Sequence, residues 1–490
     1  MPGSLVQEVK RLDVKEEPQE MACKSEPEES DDETAAAAGD GAETAPGGEE
    51  GAATAAGKQK KKKKKKKSAT NAVGGGGGGT ARALGFVATQ DNSALRRLGN
   101  WPEEKPSMQT TPPTKTMQEL FPSGNFPKGE IQMYCSSPGT AEAREAERFA
   151  AVDIEALREA AECHRQVRRY AQSLLQPGVS LTYLCQKLEA KTEALIGAKG
   201  IERGKGFPTG CSLNECAAHY TPNPGEDRIL GQGGKERRED RGGGLCLRWF
   251  EGDICKLDFG VQVRGRIIDC AFSIAFDPKF DPLIQATQEA TNVGLRLAGV
   301  DARLSEIGCA IEETISSFEC SMDGSVFPVK PIRNLTGHSI APYRIHAGKS
   351  VPIVKSAQHS QAAFNRMEEG ELYAIETFAT TGKGFVQDDG DCSHYMKNFE
   401  CGFVPLRLKS ARDLLKVIDE HFGTLAFCRR WLDAAGAPQH QMALQQLVKT
   451  GIVVPYPPLS DVMGSFTSQM EHTVYIGMHG KEVLSRGPDF

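Results

Sequence analysis

Two octapeptides far apart in the chain share one pattern. Glu251-Gly252-Asp253-Ile254-Cys255-Lys256-Leu257-Asp258 and Glu369-Gly370-Glu371-Leu372-Tyr373-Ala374-Ile375-Glu376 both read Glu-Gly-acid-aliphatic-x-x-aliphatic-acid. In each, a Glu-Gly turn opens a β-like run that ends in a carboxylate. Each copy is preceded by an Asn and then a His: Asn214 and His219 before the first, Asn334 and His338 before the second. An internal repeat constrains the fold strongly, because both copies must form equivalent elements. It implies two half-domains related by pseudo-twofold symmetry, with the two terminal carboxylates on opposite walls of one central site.

The surrounding texture fits an α+β half used twice. Residues 144–174 place Ile154, Leu157, Ala161, Val167, Tyr170 and Leu174 at helical spacing. Pro177-Gly178 ends that run, and Ser180 opens a second helix reaching Leu195. After Phe207-Pro208 the pattern turns to short β-rich runs, and residues 253–275 read as a hairpin with its turn near Arg264-Gly265. Helices are expected at 282–298 and 302–317, a second β-rich region at 327–405, helices within 409–450, and strands from Phe466 to Glu482.

Residues 1–107 are of another kind. An acidic run from Glu26 to Glu33 gives way to Ala/Gly/Glu filler, a lysine block from Lys60 to Lys67, and a glycine run from Gly74 to Gly79. Such a stretch has little apolar surface to bury and repels itself, so it is expected to be a disordered tail ahead of a folded domain at 108–490. The lysine block would meet ribosomal RNA, another polyanion or a nuclear import receptor, or serve only as a solvated tail. The start, Met1-Pro2-Gly3-Ser4, leads into charge rather than an apolar core, and no run approaches the ~18–20 apolar residues of a membrane span. The expectation is a soluble cytoplasmic protein. Fourteen cysteines without a C-x-x-C pair suit reduced thiols in that compartment, and the glycosylation pattern at Asn334-Leu335-Thr336 is read as a chance match.

Four acids and one histidine carry the chemistry. Asp258 and Asp269 lie eleven residues apart across the hairpin turn, nearly opposite one another, where side chains stand about 4.5–5.5 Å apart at Cβ. Two ionised carboxylates so close, beside Ile267, Ile268 and Phe272, repel unless one is protonated or cations lie between them. Glu376 and Glu471 also sit in apolar, strand-like runs, where acids are almost never fully buried unless paired or metal-bound. With His338 they make an oxygen-rich set with one nitrogen, suited to a pair of divalent first-row metals. Such a pair can activate water, polarise a carbonyl and anchor an amine.

Longer blocks carry a family resemblance. Phe207-Pro208-Thr209-Gly210-Cys211, Ala217-Ala218-His219-Tyr220-Thr221-Pro222-Asn223, Lys256-Leu257-Asp258-Phe259-Gly260, Gly337-His338-Ser339-Ile340, His346-Ala347-Gly348-Lys349 and Ala374-Ile375-Glu376-Thr377-Phe378 resemble the type 2 methionine aminopeptidases of the pita-bread fold. The likeness runs from about residue 118 to the end of the sequence, and the charged tail is similar to that of eukaryotic members. It implies that Asp258 binds one metal, that His338 and Glu376 bind the other, and that Asp269 and Glu471 bridge both; the metal would be Mn, Co, Fe or Zn. It also implies that His219 contacts the substrate and the developing oxyanion, that Glu376 assists proton transfer, and that His346 bonds near the scissile peptide. Phe207, Ile345, His394 and Tyr456 match the methionine side-chain pocket. The spacing of 95 positions from Glu376 to Glu471 leaves room for the helical subdomain of the type 2 group, at about 406–460.

The implied activity is removal of methionine from nascent polypeptide N-termini with a small second residue, with the tail associating with the ribosome and the translation initiation factor 2 complex. Two rivals use the same fold: an aminopeptidase cleaving before proline with the same ligands, and a non-catalytic pita-bread protein binding ribosomes or RNA. The intact ligand set and His219 argue against the second. A helix-turn-helix reading of 409–450 fails for want of a basic face. Relative to the family pattern, Gly/Arg-rich residues 231–250 and a shorter stretch near 356–364 read as insertions, which as surface loops cost little closure entropy.

Overall fold

A computed structural model of the chain describes residues 108–133, 141–231, 252–322, 324–355 and 365–490. The expected tail (all of 1–107), residues 232–250 of the expected 231–250 insertion and the stretch at 356–364 lie outside the described residues.

Helix α1 (Ala141–Leu174) and helix α2 (Leu181–Ile196) open the first half. Ser180 caps α2 by accepting a hydrogen bond from the Tyr183 amide at 3.2 Å, and Gly197 ends it in the left-handed region at φ 67°, where glycine carries no Cβ penalty. Strands β1 (Arg203–Leu213), β2 (Cys216–Ala218), β3 (Ile254–Val263) and β4 (Arg266–Ala275) follow. The second half repeats the plan. Helices α3 (Asp281–Leu297) and α4 (Leu304–Ser316) precede β5 (Thr336–Ile340), β6 (Ser350–Pro352) and β7 (Leu372–Thr380), and β11 (Thr467–Ile476) completes it.

The main sheet runs β6-β5-β7-β11-β4-β3-β1. Each half thus contributes a three-strand unit, β1-β3-β4 and β5-β7-β11, joined where β11 meets β4 at Met470 opposite Phe272. The two octapeptide repeats run, from Ile254 and from Leu372 onward, into the central strands β3 and β7 of these units. The symmetry does not extend to the histidines that precede them. His338 lies in β5 opposite Ala374, the place that Ser212 holds in β1 opposite Lys256, whereas His219 lies beyond β2 in a loop.

Strand periodicity sorts the sheet's two faces. The residues adjacent in sequence to the four acids face the helices. Phe259 stacks on His164 of α1 at 4.0 Å, Cys270 accepts from Arg168 of α1, and Thr377 pairs with Thr291 of α3, which also donates to the Met470 carbonyl. The acids therefore project from the opposite face.

Between β7 and β11 the chain builds a second, smaller core. Strands β8 (His394–Lys397), β9 (Phe427–Cys428) and β10 (Val453–Tyr456) form a sheet in the order β9-β8-β10. Helices α5 (Lys409–His421), α6 (Arg429–Ala434) and α7 (Gln441–Lys449) pack on it through Leu414, Ile418, Trp431, Leu444 and Leu447.

One buried ion pair ties α1 to the residues beyond β11. Arg168 Nε and Nη2 lie 2.5 and 2.6 Å from the Asp489 carboxylate, both side chains are wholly inaccessible, and the guanidinium also sits 4.4 Å from the Phe490 ring centre. Removing one partner strands a buried charge. Asp489→Ala should lower stability by about 3–5 kcal/mol, measured as a fall in the urea-unfolding free energy relative to the unsubstituted protein.

Candidate metal centre and its pocket

The β3–β4 turn sets the geometry of the first two acids. Arg264 and Gly265 have φ 52° and 76°, a two-residue turn whose twist matches the strands it joins. It places Asp258 opposite Ala271 and Asp269 opposite Gly260. The aspartates are thus diagonal neighbours on one face, not directly opposite as the spacing suggested. Diagonal pairs stand about 7–8 Å apart, which leaves room for something between the carboxylates.

The second half supplies the rest. Glu376 and Glu471 are direct partners across β7 and β11. His338 Nε2 lies 3.5 Å from Asp269 Oδ2 and 3.7 Å from Glu376 Oε1. Donor atoms of Asp269, His338 and Glu471 all fall within 4.8 Å of one another. The halves are pinned by Thr473, whose hydroxyl donates to the Asp269 carbonyl at 2.6 Å and accepts from the Asp269 amide at 2.8 Å. Gln469 was missed at the sequence level. Its amide nitrogen lies 3.2 Å from Asp258 Oδ2 and 3.2 Å from Glu376 Oε2, linking one acid from each half. Its position two residues before Glu471, on the same strand face, is the signal that could have found it.

The electrostatics call for a cation. Burial pushes Asp258 up to about 6. Burial, then repulsion from neighbouring acids, pushes Asp269, Glu376 and Glu471 well above the usual carboxylate range. His338 stands at ion-pair distance from two of them, yet burial holds its imidazole neutral, so it supplies a lone pair rather than a charge. Asp258 Oδ1, Asp269 Oδ1 and both oxygens of Glu471 are buried without a hydrogen-bond partner. Unpartnered buried oxygens are costly. Four carboxylates and one neutral imidazole aimed at a common volume fit divalent metal binding, with oxygen-rich ligation that first-row ions accept.

Beside the acids lies a cavity of about 210 Å³ whose lining includes Asp258, Asp269, His338 and Glu376 together with Phe207, His219, Ile345, His346, His394 and Tyr456. Glu471, 1% exposed, is not among the lining residues, though its carboxylate lies with Asp269 and His338. Met396 and Ala426 also line it, and no sequence motif marked them; Thr336 and Phe378 line it as well, each from within a motif singled out for another reason. Phe207 owes its place to β1 being irregular there: the register shifts on both sides of it, and its ring occupies the space a Cβ at Gly260 would need, 2.3 Å away. His219 adopts φ 64°, rare for a residue with a side chain. Burial, reinforced by His394 and His346, lowers it to about 3, and burial lowers His394 to about 4, so both are neutral at pH 7. The ring of Tyr456 lies 5.7 Å from that of His219 and 6.0 Å from that of His346, which stands at the exposed rim. Asn334 spends its amide on the Val386 backbone, at 2.7 and 3.0 Å, in keeping with the glycosylation pattern there being a chance match.

Because the acids hold protons that a metal must displace, affinity should rise with pH. At 100 times Kd a bound ion stabilises by about 2.7 kcal/mol. Addition of Mn or Co to metal-free protein should raise the thermal midpoint little at pH 5 and progressively more above pH 6, where Asp258 ionises. Calorimetry at fixed metal concentration across that range checks it.

Comparison with known proteins converges on one family. Residues 155–404 match the model of metallopeptidase family M24. The chain is 48% identical over 386 residues to methionine aminopeptidase 2A of Arabidopsis thaliana, covering 78% of this chain and 82% of that protein. It is 47% identical over 393 residues to methionine aminopeptidase 2 of Puccinia graminis, covering 78% and 81%. Among solved structures, a thermophilic Arx1 aligns with TM-score 0.55 at 16% identity over 72% of this chain and 92% of that one, a likeness of fold. On this evidence the chain belongs to metallopeptidase family M24, with the pita-bread fold, among the enzymes named methionine aminopeptidase 2.

Proposed function

We propose that the chain is a metal-dependent aminopeptidase that removes methionine from the N-termini of newly made proteins, preferring a small second residue. The observation that carries this reading is the joining of a buried carboxylate–imidazole cluster to a small, largely apolar cavity walled by neutral histidines. Two divalent ions, Mn, Co, Fe or Zn, would be held by Asp258 on one side, by His338 and Glu376 on the other, and by Asp269 and Glu471 between. When bound they supply Lewis-acid polarisation and a nucleophilic water at neutral pH.

The chain's own groups do the remaining work. His219, neutral at pH 7, donates a hydrogen bond to the carbonyl oxygen as negative charge develops there. Glu376 takes up and returns the proton of the attacking water. His346, at the rim, bonds to the peptide beyond the scissile bond. Phe207, Ile345, His394 and Tyr456 enclose the methionine side chain. Gln469 holds the carboxylates of Asp258 and Glu376 in their working rotamers, so that neither swings to meet a lone cation.

Among the described residues no helix is long and apolar enough to cross a membrane. A cytoplasmic setting, and association of the charged tail with ribosomes and the translation initiation factor 2 complex, accord with a substrate presented as it is synthesised.

Metal-reconstituted protein should release methionine from Met-Ala-Ser and leave Ala-Pro-Ser intact, and Asp269→Asn should abolish turnover. Cleavage of Ala-Pro-Ser alone would instead assign an enzyme acting before proline. His219→Ala should lower kcat by about 10²–10³ with the metal content unchanged, as read by steady-state kinetics and elemental analysis.

A further inference from the structure

We propose that Arg430 is a positioning residue of the reaction: it docks the small inserted core onto the first half and thereby sets where His219 stands. The inference rests on His219 being the group that meets the developing oxyanion.

Arg430 lies in α6, two residues after Cys428, which pairs with His394 across β9 and β8. Its guanidinium leaves the inserted core and engages the first half. Nη1 and Nη2 each donate to one oxygen of Glu189 on α2 at 2.8 Å, the two-pronged geometry that suits arginine and not lysine. Nη2 also donates to Thr221 Oγ1 at 2.8 Å, and Nε to the Pro222 carbonyl at 2.9 Å. Both side chains of the ion pair are only 7% exposed. Glu189 in turn accepts from the Thr209 amide at 3.4 Å, beside Phe207-Pro208 of the pocket wall.

The segment so gripped begins at His219. From the inserted core's side, Ser393 accepts from the Thr221 amide at 3.2 Å and donates to the His219 carbonyl at 3.2 Å, with His394 Nδ1 3.1 Å away. A residue with a side chain at φ 64° is strained and persists only where its surroundings over-determine it. Arg430 and Ser393 belong to those surroundings, together with the Ser212 hydroxyl, which accepts from the Tyr220 amide at 3.3 Å, and the Cys211 amide, which donates to the Tyr220 carbonyl at 2.8 Å.

The same core reaches the opposite wall. Thr424 Oγ1 donates to the Tyr343 carbonyl at 2.6 Å, and Arg344 sits 4.2 Å over the ring of Phe399. That loop carries Ile345 and His346. One small body therefore holds both walls, with Tyr456 between the rings of His219 and His346, and Arg430 is its buried charged anchor on the His219 side.

A bystander ion pair would affect stability and nothing else. A positioning residue acts through His219, so its loss must be masked when His219 is absent. The test is a double-mutant cycle on the metal-loaded enzyme with Met-Ala-Ser, using Arg430→Met and His219→Ala, and with Glu189→Gln as the milder variant should Arg430→Met fail to fold. Expected are a fall in kcat of about ten- to a hundredfold for Arg430→Met, no change in bound metal, little recovery with Arg430→Lys, and less than about a twofold further effect in the His219→Ala background. Equal losses in both backgrounds, or unchanged kcat in folded Arg430→Met or Glu189→Gln, overturn the proposal alone. A His219→Ala enzyme of undiminished kcat would overturn the His219 reading and this proposal with it.

Discussion

Mutual repulsion among four carboxylates on one buried sheet face is the constraint from which the rest of the structure follows. Such a cluster cannot remain ionised in a low-dielectric setting without a counter-charge. His338, the nearest nitrogen base, is neutral there and cannot provide it. Gln469, with no net charge, steadies one acid from each half without quenching either. The opposite sheet face, filled by Phe259, Cys270, Thr377 and Met470 against the helices, gives the backbone rigidity that keeps the acids converged.

Much of this was legible in the sequence, for reasons that can be named. The repeated octapeptide marked the central strand of each half, because a strand buried on one face and functional on the other must place its acid at the same phase. The hairpin turn was legible from Arg264-Gly265, but the pairing was misjudged by two residues; a two-residue turn fixes the register, and the eye counts acids rather than partners. The match of His219 with His338 was also illusory. Both follow an asparagine, but one lies in a strand and the other in a strained loop, a difference created by tertiary contacts far away in the chain. For the same reason Met396 and Ala426 carried no signal, since a pocket assembled from several separate segments has no local signature.

The division of labour among the parts is clear in physical terms. The two halves supply acids from paired strands, the most rigid elements available. The smaller core supplies the pocket's outer wall and joins the halves through side-chain contacts. Histidines at the wall are kept neutral by burial, so they present hydrogen-bond donors and acceptors without adding charge to a site already crowded with it.

The ring of Phe207 resting in the space left by the missing side chain of Gly260 has a consequence for how such a pocket diversifies. The width available to a guest is inherited from a residue that lies beneath the wall and never meets the guest. A lineage or an engineer could therefore retune selectivity from the floor upward, trading a single hydrogen for a methyl group, while every residue facing the cavity stayed the same. Inspection of the lining alone would miss such a change.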